Sequence, residues 1–288
     1  MNGLNGKKAL VCGGSEGIGL ASAQALAALG ADVTLLARRE AALLAALATL
    51  PVSSDERHDI LIADVSKLDQ VLEQIRAAGF DILINNSAGP AGGALLKADT
   101  AQLLSVFEQH VLAGQNLLQA IVPQMQARQW GRIVNIISTS VKEPIPMLGV
   151  SNTIRGAMAA WAKTLASELG ADGITVNNVL PGYTQTQRLD QILKERAANA
   201  GKSVQDIAKG MIASVPAGRF AQAAEVAHAV AFLCQPLSGY INGLNLPARS
   251  QMGFGLDLGH EPTLYWVVLA LLAAVTLCLN RAVDARFG

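Results

Sequence analysis

The sequence predicts an α/β protein built on a doubly wound parallel sheet, with helices covering both faces. Short apolar runs alternate with Ala/Leu-rich helical runs up to about residue 180. The strand-like runs are apolar throughout, as in strands buried on both faces of a parallel sheet. A glycine cluster, Cys12-Gly13-Gly14-Ser15-Glu16-Gly17-Ile18-Gly19, lies between the first strand and the first helix.

Taken in order, Lys8 to Val11 reads as the first strand, and Leu20 to Gly30 as a helix with a glycine C-cap. Strand, glycine turn and helix together lay the pyrophosphate of a dinucleotide on a helix N-terminus, where unpaired N–H groups and the helix dipole favour its charge. The bland alternative is a tight turn that uses glycine only for its backbone freedom. Asp32 to Ala37 is the second strand, followed by a helix from Arg39 to Leu50. Ile60 to Val65 is the third strand, with a helix over Lys67 to Ala78, and Asp81 to Asn85 is the fourth. Thr100 to Arg128 reads as a long helix in which Pro123 predicts a bend or break. Arg132 to Ile137 is the fifth strand, Val150 to Gly170 a long helix closed by glycine, and Ile174 to Leu180 the sixth strand.

Composition bounds the function. The chain has 288 residues, enough for one large domain and an appendage. Charged residues make up 15%, against roughly 25% in ordinary soluble domains. Mean hydropathy is +0.34, so apolar sequence needs a place beyond the core. The net charge of zero offers no basic footprint for nucleic acid. Cys12, Cys234 and Cys278 give neither metal-ligand spacing nor an even disulfide set, which fits a reducing compartment. The first residues, Met1 to Gly6, lack the apolar core of a secretory signal.

The surplus apolar sequence lies at the C-terminus. Residues 1–250 form the expected dinucleotide-binding domain, 251–261 a Gly-rich linker, 262–280 an apolar helix and 281–288 a tail. Leu264 to Leu279 is apolar on every side and has no amphipathic stripe. From Pro262 to Asn280 a helix spans about 28 Å, close to a bilayer core of about 30 Å. Tyr265 and Trp266 mark one end, Arg281 and Arg286 the other. The expectation is a transmembrane anchor holding the domain on the cytoplasmic face of a membrane, a bacterial inner membrane, where it could join a membrane-protein complex. The alternative is a helix buried in an oligomer contact.

Several motifs occur in one order. Cys12-Gly13, Gly17 and Gly19 match a T-G-x-x-x-G-x-G turn with cysteine for threonine; Asp64-Val65 follows the third strand. Asn85-Asn86-Ser87-Ala88-Gly89 is an altered N-N-A-G, and Pro181-Gly182-Tyr183-Thr184-Gln185-Thr186 is P-G-x-x-x-T. Gly218-Arg219-Phe220, Glu225-Val226-Ala227 and Phe232-Leu233 complete the set. From about Gly6 to Pro247 the chain thus resembles the short-chain dehydrogenase/reductase family, the 3-oxoacyl-acyl-carrier-protein reductases above all. The resemblance implies a Rossmann-type fold, homo-oligomer contacts through the long helices, and a site for NAD(P)(H). That site would use Gly13, Ser15, Gly17, Ile18 and Gly19 in the turn, Arg38, Asp64 and Val65 around the adenosine, and Asn86, Arg155, Pro181, Gly182 and Thr186 further along. Arg38 and Arg39 close the second strand where an acidic residue would select NAD, so NADP(H) is favoured over NAD(H). Glu16 in the turn argues the other way, and the arginines could simply solvate the start of a helix.

The catalytic pattern departs from the resemblance. The family uses a serine after the fifth strand, a Y-x-x-x-K pair on the next helix, and an asparagine on the preceding long helix. Ser138 supplies the serine, but Ser151 stands at the tyrosine position, Arg155 at the lysine and His110 at the asparagine. Serine is shorter than tyrosine and a far weaker acid, whereas arginine keeps a permanent positive charge for a ribose or phosphate. His110 has the only new side chain whose ordinary pKa lies near neutrality; the bland alternative is a helix residue bonded to a carbonyl. Tyr183, in the loop after the sixth strand, is a second candidate donor, or a packing residue. Two functions follow. One is a membrane-attached, non-catalytic subunit with the tail helix against its partner; the other is an NADP(H)-dependent carbonyl reductase for 3-oxoacyl or lipid-like substrates with a non-standard proton donor.

Overall fold

The computed structural model describes residues 3–52 and 57–250. Its elements are β1 (Lys8–Cys12), α1 (Gly17–Ala27), β2 (Asp32–Ala37), α2 (Glu40–Leu47), β3 (Asp59–Ile62), α3 (Leu72–Ala78), β4 (Ile82–Asn85), α4 (Thr100–Phe107), α5 (Ala113–Ala127), β5 (Gly131–Ile136), α6 (Gly149–Leu169), β6 (Ile174–Pro181), β7 (Thr184–Gln185), α7 (Gln187–Ala200), α8 (Val204–Ala213), β8 (Ala221–Gln222), α9 (Ala223–Cys234) and β9 (Asn245–Ala248). Seven of the strands form one sheet in the order β3-β2-β1-β4-β5-β6-β9, every pair parallel. The direction of winding reverses between β1 and β4, which opens a crevice at the carboxyl ends of those strands.

Strand periodicity divides the core into two layers. Val11, Ile82, Ile84, Val134 and Val179 face one side, where Leu26 of α1, Leu43 of α2 and Val230 of α9 cover them. Leu10, Leu83, Ile133 and Val176 face the other, against Ile75 of α3, Ile121 of α5 and Leu165 of α6. Burial on both sides explains why the strands read as unbroken apolar runs.

The departures from expectation are local. The long helix after β4 is continuous through Pro123; its irregularity is a π-helical turn over Glu108–Leu112, between α4 and α5. Pro123 removes a single backbone donor near the end of α5, whereas the π turn inserts a residue into the helical repeat. Gly170 keeps a right-handed helical backbone, and the left-handed turn after α6 falls at Gly173 (φ 70°). Helix α3 begins at Leu72, because Lys67 and Val71 close hydrogen-bonded turns on Asp64 and Leu68 before it. The expected linker, apolar helix and tail over 251–288 lie outside the described residues. Among the described residues, no helix is long and apolar enough to cross a membrane.

Candidate active site and cofactor cleft

A cleft of about 670 Å³ runs along the carboxyl ends of the central strands at the reversal point, a size typical of cofactor sites. Its floor is the glycine turn. Gly13 (φ 58°) and Gly17 (φ 57°) adopt left-handed backbone that side chains disfavour. Asn86, just after β4, pins the turn, its Nδ2 donating to the carbonyls of Cys12 (3.2 Å) and Gly13 (3.4 Å). Glu16, the N-cap of α1, makes no side-chain capping bond. The first backbone N–H groups of α1 therefore remain available to an anion in the cleft.

Gly19 is placed differently from the other expected turn residues. It does not line the cleft; a Cβ there would sit 2.1 Å from the Gly13 carbonyl oxygen, so its role is to let α1 close against the turn. Gly13, Ser15, Gly17, Ile18, Arg38, Asp64, Val65, Asn86, Arg155, Pro181, Gly182 and Thr186 all line the cleft. Cys12 is buried, which pushes its thiol up to about 12 and keeps it protonated.

At the adenosine end, Asp64 accepts from the backbone N–H (3.0 Å) and hydroxyl (2.8 Å) of Ser66, and the backbone bond foremost holds its carboxyl below the usual range. Arg38 Nη1 lies 3.9 Å from the second carboxylate oxygen of Asp64 and is largely exposed on the rim. Arg39 is paired with Glu16 at 2.8 Å. The two arginines that looked equivalent are thus placed differently.

At the opposite end, Ser138 caps a 3₁₀ turn (Thr139–Val141), and its Oγ accepts from the Ser140 N–H at 3.1 Å. That bond uses a lone pair and leaves the hydroxyl proton to donate. Ser151 and Arg155, four residues apart on α6, share one helical face toward the cleft. Arg155 is 8% exposed, and its Nη1 donates to the Ile136 carbonyl at 2.9 Å. Burial lowers its pKa to about 10, so it remains a cation at neutral pH. Thr186 caps α7, accepting from the Leu189 N–H at 3.4 Å. A Cβ on Gly17 would meet the Thr186 methyl at 3.3 Å, so the turn and this cap close on each other across the cleft.

Two expected donors have other neighbours. Tyr183 lines the cleft, but its ring packs edge-on against Phe220 (6.2 Å, 78°) beside Leu189, Leu193 and Met211. His110 does not line the cleft. The π turn carries it inward to 6% exposure, beside a small pocket of about 20 Å³ that shares Asn86, Ser87 and Arg155 with the cleft. Burial foremost, then the Arg155 cation, lowers its pKa to about 3, so the ring is neutral. His110 therefore meets the cleft through Ser87, which lines both spaces.

Two cleft residues were missed. Ser87 Oγ lies 2.7 Å from His110 Nδ1, and the altered N-N-A-G run was its only sequence signal. Arg188 Nη2 donates to the Pro90 carbonyl at 2.7 Å and ties α7 to the loop after β4; no motif marked it. Among the described residues, no cluster of three or more His, Cys, Asp or Glu side chains is placed to hold a metal.

A glycine turn and open helix N-terminus at the reversal point of a parallel sheet define a Rossmann-type, doubly wound α/β protein. Residues 13–248 match the family model described as enoyl-(acyl carrier protein) reductase. The 3-oxoacyl-[acyl-carrier-protein] reductases of Haemophilus influenzae and Escherichia coli are 31% and 32% identical, over 84% and 86% of this chain and 96% and 98% of theirs. L-sorbose reductase of Gluconobacter frateurii, solved with NADPH and L-sorbose, superposes with a TM-score of 0.82 at 30% identity, over 89% of this chain and all of the other. The chain belongs to the short-chain dehydrogenase/reductase family and is similar to its 3-oxoacyl-acyl-carrier-protein reductases.

Proposed function

We propose that this protein is an NADP(H)-dependent carbonyl reductase, acting on 3-oxoacyl or lipid-like substrates, with a proton donor other than the family's tyrosine. The observation that carries the reading is the continuity of the cleft from Arg38 through the open N-terminus of α1 to Ser138 and Arg155. Arg38 would meet the 2′-phosphate, the α1 N–H groups the pyrophosphate, and Arg155 the ribose, leaving Ser138 to donate to a carbonyl oxygen. When bound, NADPH supplies the hydride. Relatives solved with NADPH, L-sorbose reductase and actinorhodin polyketide ketoreductase among them, support the same cofactor.

The rival, a non-catalytic subunit, draws on Ser151, which replaces the acid, and on the position of His110 outside the cleft. It leaves unexplained why Ser138 and a cationic Arg155 are kept at the reacting end. An anchor or partner contact through 262–280, and a homo-oligomer through the long helices, are retained as proposals on sequence grounds alone. The test is titration of the full chain with NADPH and NADH, then a panel of 3-oxoacyl thioesters and simple ketones. Micromolar NADPH binding with turnover lost in Ser138→Ala supports the reductase; binding without turnover on any carbonyl supports the subunit.

A further inference from the structure

Two departures from the family pattern meet in this structure. Serine stands third in Asn85-Asn86-Ser87, where N-N-A-G has alanine, and His110 stands where asparagine is expected. Their side chains are in hydrogen-bond contact, Ser87 Oγ to His110 Nδ1, at 2.7 Å. Ser87 lines both the cofactor cleft and the small pocket beside His110, whereas His110 lines the pocket only. Ser87 is thus the polar side chain through which His110 reaches the cleft.

The other ring nitrogen strengthens the case. His110 Nε2 is buried and makes no well-formed hydrogen bond in the protein, while the Ala88 backbone lies near enough to the ring to favour its charged form slightly against burial. Buried polar atoms rarely stay unpaired. The cavity of about 20 Å³ has room for one water, and Asn85, Asn135 and Arg155 give it a polar lining. One nitrogen thus meets a hydroxyl on the cleft wall, and the other is left for a water in the pocket that His110 lines.

We propose that Ser87 and His110 form one proton relay between the small pocket beside His110 and the cleft, an assignment that rests on the reductase reading above. As hydride adds to the carbonyl carbon, the C=O π pair becomes a lone pair on oxygen, and that oxygen takes the Ser87 proton. Ser87 Oγ recovers a proton from His110 Nδ1, while Nε2 takes one from the cavity water. The ring begins and ends neutral, with its proton moved from one nitrogen to the other. Solvent replaces the proton drawn from the water and restores the starting tautomer between turnovers. The net reaction consumes a carbonyl, NADPH and one proton, and yields an alcohol and NADP⁺.

The groups facing His110 fit this role. Arg155 of α6 is the cation lining the cavity and disfavours a second positive charge on the ring. Cys12, at the end of β1, is the other titratable group in the lining, and its thiol stays protonated. Ser87 is the proposed catalytic residue, and His110 acts through it as a positioning and relay residue.

The test uses full-length protein and two readouts. In ¹⁵N-histidine NMR spectra of the cofactor-free protein, His110 should show a neutral ring from pH 5 to 8, with Nδ1 and Nε2 shifts that change in Ser87→Ala. In steady-state assays, Ser87→Ala and His110→Asn should each lower kcat by about tenfold to a thousandfold, with NADPH Kd within about threefold, confirming an intact fold. The double variant should be no worse than the poorer single one, as expected for groups acting as a unit. Ser87→Thr, which restores the hydroxyl, should recover most of the loss. Unchanged kcat in Ser87→Ala overturns the relay, as do His110 shifts indifferent to Ser87. Wild-type protein that binds NADPH but turns over no carbonyl removes the reductase reading and the relay with it. The NMR arm still reports whether the pair exists, so the two failures are distinguishable.

Discussion

Arg39 Nη2 holds Glu16 Oε2 at 2.8 Å on the rim of the cleft, and this pair divides the work of the two arginines that close β2. Both partners are substantially exposed, so the pair adds at most about 1 kcal/mol to stability. Its consequence is electrostatic. Glu16 occupies Arg39, while Arg38 remains on the rim with only a 3.9 Å approach to Asp64.

Cofactor selectivity should therefore follow Arg38. Arg38→Ala is expected to weaken NADPH binding roughly tenfold, the scale of one hydrogen bond to a charged group, and to leave NADH nearly unchanged. Glu16→Gln should release Arg39 and tighten NADPH by a few-fold at low salt. Calorimetric titration with both nucleotides checks this. Equal losses for NADPH and NADH in Arg38→Ala would show that this side chain does not read the phosphate.

Burial of His110 sets a pH dependence of stability. Its pKa falls from an ordinary 6.5 to about 3 in the fold. Below pH 6.5 the unfolded chain takes up a proton at this ring and the folded chain does not, so stability is lost as pH falls toward 3. Within that window the slope is up to about 1.4 kcal/mol per pH unit. The melting temperature of wild type should drop faster between pH 6.5 and 4.5 than that of His110→Asn, and the two curves should run parallel above pH 7. Parallel curves throughout would mean that the ring is solvated in the native state.

An asparagine ladder crosses four strands, and its register was hidden in the sequence. Asn85 donates to Asn135 (2.8 Å), Asn135 to Asn178 (2.8 Å) and Asn178 to Asn245 (2.7 Å), across β4, β5, β6 and β9. In the sequence these were polar interruptions in apolar runs. They become a chain only because parallel pairing sets Asn85 opposite Asn135, then Asn178, then Asn245. Asn135 is fully buried in the middle. Asn135→Val should leave the Asn85 donor and the Asn178 acceptor without partners, costing about 2–6 kcal/mol at about 1–3 kcal/mol per unpaired group. Asn245→Ala, at the half-buried end, should cost about 1 kcal/mol. Urea unfolding of both variants measures the difference, and equal losses would argue against a connected chain.

Local signals made the sheet and the glycine turn legible. Buried parallel strands are short and continuously apolar, and Gly13 and Gly17 are needed wherever backbone turns left-handed under a cofactor. Contacts between distant segments were not legible. The π turn that withdraws His110 changes the helical phase by one residue, which periodicity does not report. Tyr183 looked available until the pairing of β7 with β8, Thr184 opposite Ala221, brought Phe220 against it. Ser87 carried a trace in the altered motif, but its meaning depended on a partner 23 residues away.

Two glycines make opposite predictions and test the local geometry most sharply. Gly210 lies inside α8 with open space where a Cβ would project. Gly210→Ala removes backbone freedom from the unfolded chain and is expected to stabilise by about 0.5–1 kcal/mol. Gly19 is also helical, but its added methyl would fall 2.1 Å from the Gly13 carbonyl oxygen and 2.8 Å from Asn86 Nδ2. The obstruction is backbone of the turn itself, so relief requires α1 to shift away from β1. Gly19→Ala should therefore destabilise by about 1–3 kcal/mol and weaken NADPH binding by displacing the N–H groups at the start of α1. Urea unfolding should move in opposite directions for the two variants, and NADPH titration should change only in Gly19→Ala. If Gly19→Ala binds NADPH as wild type does, the close approach of helix and turn is not what shapes the phosphate site.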